Sequence, residues 1–263
     1  MQIKAKKSLG QNFLINSDIL NKIIECGNIT SADCILEVGP GTGNLTEKIL
    51  DKNPKKLIVV EKDKELSNSI EKKFKMNLRS LNEDILEVRL DKLNYNKLII
   101  FGNLPYNIST QILINWIIND YNFLNIKKLI LMFQKEVADR IMGQTNDKNY
   151  GRLSIISNWK FNIKREFDID PSSFYPKPKV QSTLLSLIPK DNFFKIKNPH
   201  NLEKITSIFF NQRRKMIKKP LNQIFNNNNY LIEQLKINTN LRPQNLKSEF
   251  YYKLAEIYSN LGN

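Results

Sequence analysis

Short apolar runs alternate with helical patterns along most of the chain, and this alternation restricts the fold more than any other feature. Strands are predicted near residues 34–38, 57–61, 78–82, 97–102, 128–133, 161–168 and 183–188. Helices are predicted near residues 17–26, 43–51, 63–74, 109–119 and 134–142. Strands that alternate with helices of this length pair into a parallel sheet with helices on both faces. The sequence therefore predicts an α/β fold with a doubly wound, mostly parallel, seven-stranded sheet.

The pattern changes after Pro189, where strand-like runs give way to helical ones. One helix is predicted from Leu202 to Leu221, a loop at the asparagine run 226–229, and a final helix that opens at Pro243 and runs through Tyr258. These elements make a small all-α domain of roughly 70 residues, which is within the usual size range of domains. We therefore expect two domains, at residues 1–189 and 190–263.

Three glycines, Gly39, Gly41 and Gly43, follow the first strand of the predicted sheet and precede a helix. Glycine allows a backbone to approach a ligand closely and to adopt a positive φ. No Gly-Lys-Ser/Thr follows, so the loop is not a P-loop, and its spacing also differs from the dinucleotide fingerprint. Glu37 at the strand end adds negative charge where two phosphates would lie. A cationic ligand such as S-adenosylmethionine, with its sulfonium and amino groups, suits this loop better.

Acidic residues follow the next two strands. Glu61 lies about 20 residues past the glycine loop, where an acidic side chain can bind ribose hydroxyls. Asp84 follows the third strand. A single loop aspartate is more often a turn residue or a helix cap. The carboxyl ends of parallel strands meet at one edge of a sheet, however, so these residues and the glycine loop are expected to line one site.

The tetrapeptide Asn103-Leu104-Pro105-Tyr106 follows a fourth apolar strand. The exocyclic amine of a nucleobase is a poor nucleophile because its lone pair is delocalised into the ring. The Asn103 amide oxygen and the Leu104 carbonyl can both accept hydrogen bonds from such an amine. Pro105 stiffens the turn, and Tyr106 offers an aromatic face to an extruded base. Taken alone, the tetrapeptide is equally compatible with an ordinary strand-to-helix loop.

Eight stretches, in order and over nearly the whole chain, resemble the ribosomal RNA small-subunit adenine dimethyltransferase family. They run from Lys7 to Leu14, Glu37 to Gly43, Asn82 to Leu86, Asn103 to Thr110, Gln134 to Arg140, Tyr150 to Ser154, Phe174 to Val180 and Phe210 to Lys215. The chain departs from the family at Glu83, where a small residue is common and where the glutamate adds charge near Asp84. The C-terminal stretch matches only loosely outside 212–215.

The resemblance implies a Rossmann-like methyltransferase that uses S-adenosylmethionine. Its target would be the exocyclic amines of two adjacent adenines near the 3′ end of small-subunit (16S) rRNA, with a role in small-subunit biogenesis. The residues implied to bind the cofactor are Gln11, Asn12, Leu14, Gly39, Gly41, Gly43, Glu61, Lys62, Asp84, Ile85 and Asn103. The residues implied to act at the target adenine are Asn103, Leu104, Pro105, Tyr106 and Phe174. Residues 11–14 could instead form a mobile arm, and Phe174 a core aromatic.

The charge of the chain favours a polyanionic partner. The formal net charge is +15, although abundant Asn and Lys also suggest an AT-rich genome, so the charge is supportive only. Five basic residues cluster in the helix predicted after Pro189: Arg213, Arg214, Lys215, Lys218 and Lys219. A solvated helix face is the usual meaning of such a run. In a chain that resembles rRNA enzymes, contacts with rRNA phosphates are the better interpretation.

Several classes of protein are disfavoured by what the sequence lacks. His200 is the single histidine, which argues against a Ser-His-Asp or metal-dependent hydrolase. Cys26 and Cys34 form no metal or disulfide motif and fit a reduced cytosolic setting. No apolar run has membrane-spanning length, and no signal-peptide core follows the basic N-terminus. We expect a monomeric cytoplasmic protein without metal or membrane contact, whose partner is the small ribosomal subunit or its precursor.

Three alternatives remain open from the sequence. A large-subunit (23S) rRNA adenine methyltransferase of the macrolide-resistance type would share the glycine loop and the 103–106 tetrapeptide, but the stretches at 134–140, 150–154 and 212–215 favour the small-subunit group. A non-catalytic ribosome assembly factor could keep the same fold, although the intact tetrapeptide argues against lost catalysis. A nicotinamide oxidoreductase is the most distant alternative.

Overall fold

The computed structural model describes residues 5–6, 10–95, 97–225 and 236–261 of the 263-residue chain. The loop predicted at 226–229 lies outside these residues. Nowhere in the described ranges does a helix combine the length and the apolar character that a bilayer crossing needs.

The strands are β1 (Phe13–Leu14), β2 (Cys34–Val38), β3 (Lys56–Val60), β4 (Arg79–Leu81), β5 (Leu98–Asn103), β6 (Ile126–Gln134), β7 (Phe161–Ile169), β8 (Phe174–Tyr175) and β9 (Ser182–Pro189). The α-helices in the described residues are α1 (Ser17–Gly27), α2 (Asn44–Leu50), α3 (Lys64–Phe74), α4 (Ser109–Ile118), α5 (Asp120–Phe123), α6 (Lys135–Ile141), α7 (Arg152–Lys160), α8 (His200–Phe210), α9 (Lys218–Phe225) and α10 (Ser248–Asn260).

Seven strands form one sheet in the order β4-β3-β2-β5-β6-β9-β7. The five strands from β4 to β6 in this order run parallel to one another. Strand β9 pairs with the outer side of β6 in the antiparallel direction. The predicted fold class is therefore confirmed. The chain moves outward from β2 to β4 and then returns to the other side of β2 with β5. Ligands bind at such a reversal of strand order, beyond the carboxyl ends of the strands.

The central strands are buried on both faces, which explains their largely apolar sequences. In β2 all five residues are buried, and Ile35 and Leu36 have no exposed surface. Strands covered by helices on both faces have no polar side to alternate with. The end of α1 lies directly against this layer, since a Cβ on Gly27 would come within 2.3 Å of the Phe101 ring. The parallel register of β2 and β5 pairs Val38 with Gly102 and so places the carboxyl ends of the two strands side by side.

Contacts between Cα atoms divide the chain into two units. The first comprises residues 1–138 and 162–189, and the second comprises residues 139–161 and 190–263. The sequence placed 139–161 with the first domain, whereas in the structure this segment groups with the second unit. The reason is α7, which packs against α8 and α10 and whose Ile155 carbonyl accepts a hydrogen bond from the Tyr252 hydroxyl at 2.9 Å.

The single helix predicted over 202–221 is wrong, because two helices, α8 and α9, occupy this region with a turn at 211–217 between them. Pro220 explains the break, since proline lacks the N–H that a helix interior requires but fits in a first turn. The buried Ile217 just before α9 donates its N–H to the Leu241 carbonyl at 2.9 Å. Pro243 opens a separate 3-10 turn, Pro243–Asn245, and the final helix α10 begins only at Ser248.

Candidate active site

A cavity of about 310 Å³ lies at the carboxyl ends of β2, β3 and β5. This volume is at the lower end of the range typical of small-molecule sites. The predicted site residues that line it are Gln11, Asn12, Gly39, Gly41, Glu61, Lys62, Asp84, Ile85, Asn103, Leu104, Pro105 and Tyr106. Leu14, Gly43 and Phe174 do not line this cavity. The fold therefore brings most of the predicted residues together from four loops and the N-terminal segment.

The glycine loop has positive φ angles, which are unfavourable for residues with a side chain. Gly39 and Gly41 have φ values of +69° and +56°. A Cβ on Gly41 would lie 2.7 Å from the ring of Phe13, which is itself buried. The loop thus carries Phe13 directly above it, and both residues line the cavity.

Gly43 allows close packing between helices and does not line the cavity. Its φ is +82°, and a Cβ there would lie 2.7 Å from Ile70 and 2.8 Å from Phe74. Both partners belong to α3, so Gly43 allows α2 to begin in close contact with that helix.

Glu61 ties the end of β3 to the glycine loop. Its carboxylate accepts hydrogen bonds from the Gly41 N–H at 3.3 Å and the Asp63 N–H at 2.9 Å. Burial raises the pKa of Glu61, because the charged form is poorly solvated. Each carboxylate oxygen can accept more than one hydrogen bond, so Glu61 keeps capacity for ligand hydroxyls.

Glu37 lies beneath the glycine loop with 1% of its surface exposed. Within the described structure its Oε2 atom has no hydrogen-bond partner. Burial raises the pKa of Glu37 to about 8, and the neighbouring Glu61 carboxylate adds to the rise. Glu37, Leu14 and Asn103 line a second cavity of about 30 Å³. A buried acceptor without a partner is costly, so this position fits a ligand that brings a donor or a positive charge.

Asp84 and Lys62 form an ion pair at the cavity edge, with Nζ and Oδ2 2.6 Å apart. The Lys62 ammonium lowers the pKa of Asp84, so the carboxylate is charged at neutral pH. The other oxygen, Oδ1, accepts from the Leu86 N–H at 3.0 Å. Asp84 therefore also makes the turn contact that its sequence alone suggested, while its side chain still lines the cavity.

The side-chain amide of Asn103 is oriented by the N-terminal segment. Its Nδ2 donates to the Asn12 carbonyl at 2.7 Å. Because the nitrogen is committed to this bond, Oδ1 is left as the acceptor that Asn103 can offer to a ligand. The next residue, Leu104, is buried, and the turn closes with a hydrogen bond from Ile108 N–H to the Pro105 carbonyl at 3.1 Å.

The two aromatic residues predicted at the target adenine occupy different environments. The Tyr106 hydroxyl lies 2.6 Å from the Ser182 Oγ, which holds the ring at the cavity wall. Burial raises the pKa of Tyr106, so its phenol is neutral at physiological pH. Phe174 has 3% of its surface exposed and belongs to the hydrophobic core with Leu14, its partner in the β1–β8 pair. The structure thus favours the core position for Phe174 that the sequence left open.

Comparison with known proteins identifies the family of this chain. A family model described as "Ribosomal RNA adenine dimethylase" matches residues 2–260. The chain belongs to that family. Its activity is therefore that of an S-adenosylmethionine-dependent rRNA adenine dimethyltransferase, and the predicted family and cofactor are confirmed.

Individual relatives extend over the same length. "Ribosomal RNA small subunit methyltransferase A" of Pelagibacter ubique (strain HTCC1062) is 55% identical over 261 residues, covering 99% of each chain. A crystal structure of a dimethyladenosine transferase from Plasmodium falciparum is 28% identical, with a TM-score of 0.77 and coverage of 95% of this chain and 98% of the other. The 23S rRNA methyltransferase ErmE shares the fold at 20% identity, with a TM-score of 0.68 and coverage of 96% and 100%.

The cavity of this dimethyltransferase fits S-adenosylmethionine in chemical terms. The cofactor carries a positively charged sulfonium and an amino group, and the buried Glu37 Oε2 in the small second cavity, which shares Gly39, Gly41 and Asn103 with the main one, lacks a hydrogen-bond donor. The cofactor also carries ribose hydroxyls and an exocyclic amine, and the carboxylates of Glu61 and Asp84 are acceptors. The described residues contain no group of three or more His, Cys, Asp and Glu side chains arranged to hold a metal ion.

Asp63 is a site-supporting residue that the sequence did not single out. It is buried and caps α3 by accepting from the Glu65 N–H at 3.0 Å. The same carboxylate accepts from Gln11 Nε2 at 3.1 Å and from Lys6 Nζ at 3.0 Å. It therefore anchors the segment that carries Asn12. The available signal was an aspartate directly before a helix, which is typical of an N-cap.

The sequence predicted that the basic run lies on one helix, and this is wrong. Arg213, Arg214 and Lys215 are in the turn before α9, and Lys218 and Lys219 are in its first turn. Arg213 is used internally, because it donates to Gln244 Oε1 at 3.2 Å and to the Asp147 carbonyl at 3.0 Å. The other four basic side chains of the run are exposed.

Proposed function

We propose that the protein transfers two methyl groups to the exocyclic amine of each of two adjacent adenines near the 3′ end of small-subunit rRNA, and thereby takes part in small-subunit biogenesis. The observation that carries this proposal is the amide of Asn103, whose nitrogen is held by the Asn12 carbonyl at 2.7 Å. An acceptor in this orientation suits an amine that has N–H bonds to donate. The name of the Pelagibacter ubique relative supports the choice of ribosomal subunit.

The residues at the cavity divide between cofactor and adenine. Glu61 would bind the ribose hydroxyls, Asp84 and the Ile85 backbone the cofactor's adenine, and Gln11, Asn12 and the glycine loop its methionine end. Asn103 Oδ1 and the Leu104 carbonyl would hold the target amine, and Tyr106 would stack on the extruded adenine. When bound, S-adenosylmethionine supplies an electrophilic methyl group on a sulfonium.

Positioning is the main contribution of these residues to the rate. A fixed pair of acceptors orients the amine in line with the methyl group, so that the reaction becomes effectively unimolecular. No strong base is needed before attack, because the amine becomes acidic once it is alkylated and then loses its proton. A second transfer requires the monomethyl product to rotate within the same pocket.

The second unit would supply rRNA phosphate contacts. Arg214, Lys215, Lys218 and Lys219 are exposed in and beside the turn at 211–217. Basic side chains that neutralise phosphates release counterions and so strengthen binding at low salt. We further propose that the protein works as a cytoplasmic monomer without a metal, and that residues 1–189 carry the chemistry while residues 190–263 bind rRNA.

The test is to incubate the protein with S-adenosylmethionine carrying a tritiated methyl group and with separate unmethylated small and large ribosomal subunits. The proposal predicts label on two adjacent adenines of small-subunit rRNA, with two methyl groups on each. Label on large-subunit rRNA would support the macrolide-resistance type instead. Tight small-subunit binding without label would support an assembly factor.

A further inference from the structure

The segment 175–181, termed the strap, is joined at both ends to residues that line the active-site cavity. At one end Tyr175 pairs with Phe13 in the β1–β8 ladder, and Phe13 lines the cavity. At the other end Ser182 Oγ lies 2.6 Å from the hydroxyl of Tyr106, which also lines the cavity. The strap is therefore anchored at both ends to residues of the cavity wall.

Several side chains of the strap are exposed and do not pack in the core. Successive residues of a strand point to opposite faces, so Phe174 enters the core while Tyr175 points away from it. Tyr175 is 64% exposed and Val180 is 44% exposed. Ile15 extends this apolar surface, because it is 54% exposed and its N–H donates to the Ser173 carbonyl at 2.9 Å. These large side chains make no use of burial in the protein and are free to contact a ligand.

The charge and stiffness of the strap restrict what it can bind. Lys177 and Lys179 are exposed, and the strap contains no acidic residue. Pro176 and Pro178 fix two φ angles and remove two backbone donors, so the side chains are presented with little conformational freedom. An aromatic ring beside lysines on a stiff backbone matches single-stranded nucleic acid, in which bases stack and phosphates are paired with cations.

We infer that the strap binds the RNA nucleotides flanking the target adenine, with Tyr175 stacked on a neighbouring base and Lys177 and Lys179 at phosphates. The inference rests on the proposed function, because the strap is anchored to Phe13 and Tyr106 of the cavity that would receive the adenine, and the neighbouring nucleotides lie within a few ångströms of that adenine. It adds a substrate-binding surface in the first unit to the one proposed for the second. Tyr175 binds substrate in this arrangement and takes no part in the chemistry.

The first test compares Tyr175→Ala, Tyr175→Phe and a control, Tyr121→Ala. Tyr121 is also exposed but lies in α5, which precedes β6 and so is on the amino-terminal side of the sheet. In steady-state methyl transfer to unmethylated small subunits, Tyr175→Ala should raise KM by about 5- to 150-fold, the range expected for the loss of one stacked base. Its kcat and its affinity for S-adenosylhomocysteine should stay close to wild type. Tyr175→Phe should keep the wild-type KM, as should Tyr121→Ala.

The second test uses Lys177→Ala/Lys179→Ala against Lys55→Ala/Lys56→Ala, a lysine pair exposed at the amino end of β3. Removing two phosphate contacts should make the slope of log K against log salt shallower by about 1.4–1.8. The control pair should leave the slope unchanged.

The outcomes separate this inference from the proposed function. If the wild-type protein does not methylate small subunits, the proposed function fails. If it does, and Tyr175→Ala keeps the wild-type KM while the strap lysine variant keeps the wild-type salt slope, the strap does not bind RNA. Equal damage from Tyr175→Ala and Tyr175→Phe would also overturn stacking, because phenylalanine retains the ring.

Discussion

The Asn103 side-chain nitrogen donates to the main-chain carbonyl of Asn12 across 2.7 Å, although the two residues are 91 positions apart in sequence. The N-terminal segment thus sets the orientation of the amide at the end of β5. Asp63 holds the same segment through Gln11. The orientation of the Asn103 side-chain oxygen therefore depends on this chain of contacts and not on the tetrapeptide alone.

Replacement of Gly39 and of Gly41 by alanine should distinguish the cost of a positive φ from the cost of a steric clash. Gly39→Ala places a side chain at positive φ with only an ordinary contact, 3.6 Å to the Asn103 carbonyl, and should lower the free energy of unfolding by about 1–2 kcal/mol. Gly41→Ala adds the displacement of Phe13 and should cost clearly more. Urea unfolding at one pH measures both variants. Equal losses would show that Phe13 is not confined above the loop.

The buried Glu37 should make stability depend on pH. Its pKa is raised from the ordinary value of 4.5 to about 8 in the folded protein. Between these values the unfolded chain has lost the proton and the folded protein keeps it, so the free energy of unfolding should fall by up to about 1.4 kcal/mol per pH unit as pH rises.

Glu37→Gln cannot ionise and should flatten this part of the stability profile. The measurement is urea unfolding of both proteins across this pH window without cofactor. The variant should gain on wild type as pH rises. Parallel profiles would show that Glu37 is charged in the folded protein.

Asp84→Asn should weaken cofactor binding more than stability. A hydrogen bond to a charged group contributes about 1.5–3 kcal/mol, so the affinity for S-adenosylhomocysteine should fall by about 10- to 150-fold in calorimetry. Asp91→Asn is the matched control, because Asp91 is ion-paired with Arg89 at 2.7 Å but lies outside the cavity. Similar affinities for the two variants would remove Asp84 from the cofactor site.

The two arginines at the start of the basic run should behave differently. Arg213→Ala breaks the bonds to Gln244 and the Asp147 carbonyl and should lower the free energy of unfolding by about 1–3 kcal/mol. Arg214→Ala should leave stability within about 0.5 kcal/mol of wild type but make the salt slope of small-subunit binding shallower by about 0.7–0.9. An unchanged slope would return Arg214 to a solvated surface role.

The sequence predicted the central strands of the sheet well because β2, β3 and β5 are mostly apolar runs bounded by turn residues. The helix α7 was not predicted, because it is buried on most sides. Leu153, Ile155, Ile156 and Trp159 are buried around much of this helix, so no polar face marks its period. The break in the helix predicted over 202–221 was signalled by Pro220, which marks a first turn.

Glu61, Asp84 and Asn103 were predicted from their positions at strand ends, which any parallel sheet brings together, whereas Gln11, Asn12 and Phe174 were predicted from the resemblance to the family. Their partners were not predictable in this way. The bond between Asn103 and Asn12 and the anchoring of Gln11 by Asp63 join distant segments through side chains. The core position of Phe174 depends on the pairing of β1 with β8, two strands of two residues each that carry no pattern of their own.

The most direct test of the proposed mechanism is single-turnover methyl transfer to unmethylated small subunits by Asn103→Ala, with wild type alongside. The rate should fall by about 100-fold or more, as expected for the loss of one preorganised polar contact at the reacting group. Small-subunit binding and the unfolding midpoint serve as controls and should change little. Dimethylation at the wild-type rate would contradict the proposal that the Asn103 amide holds the target amine.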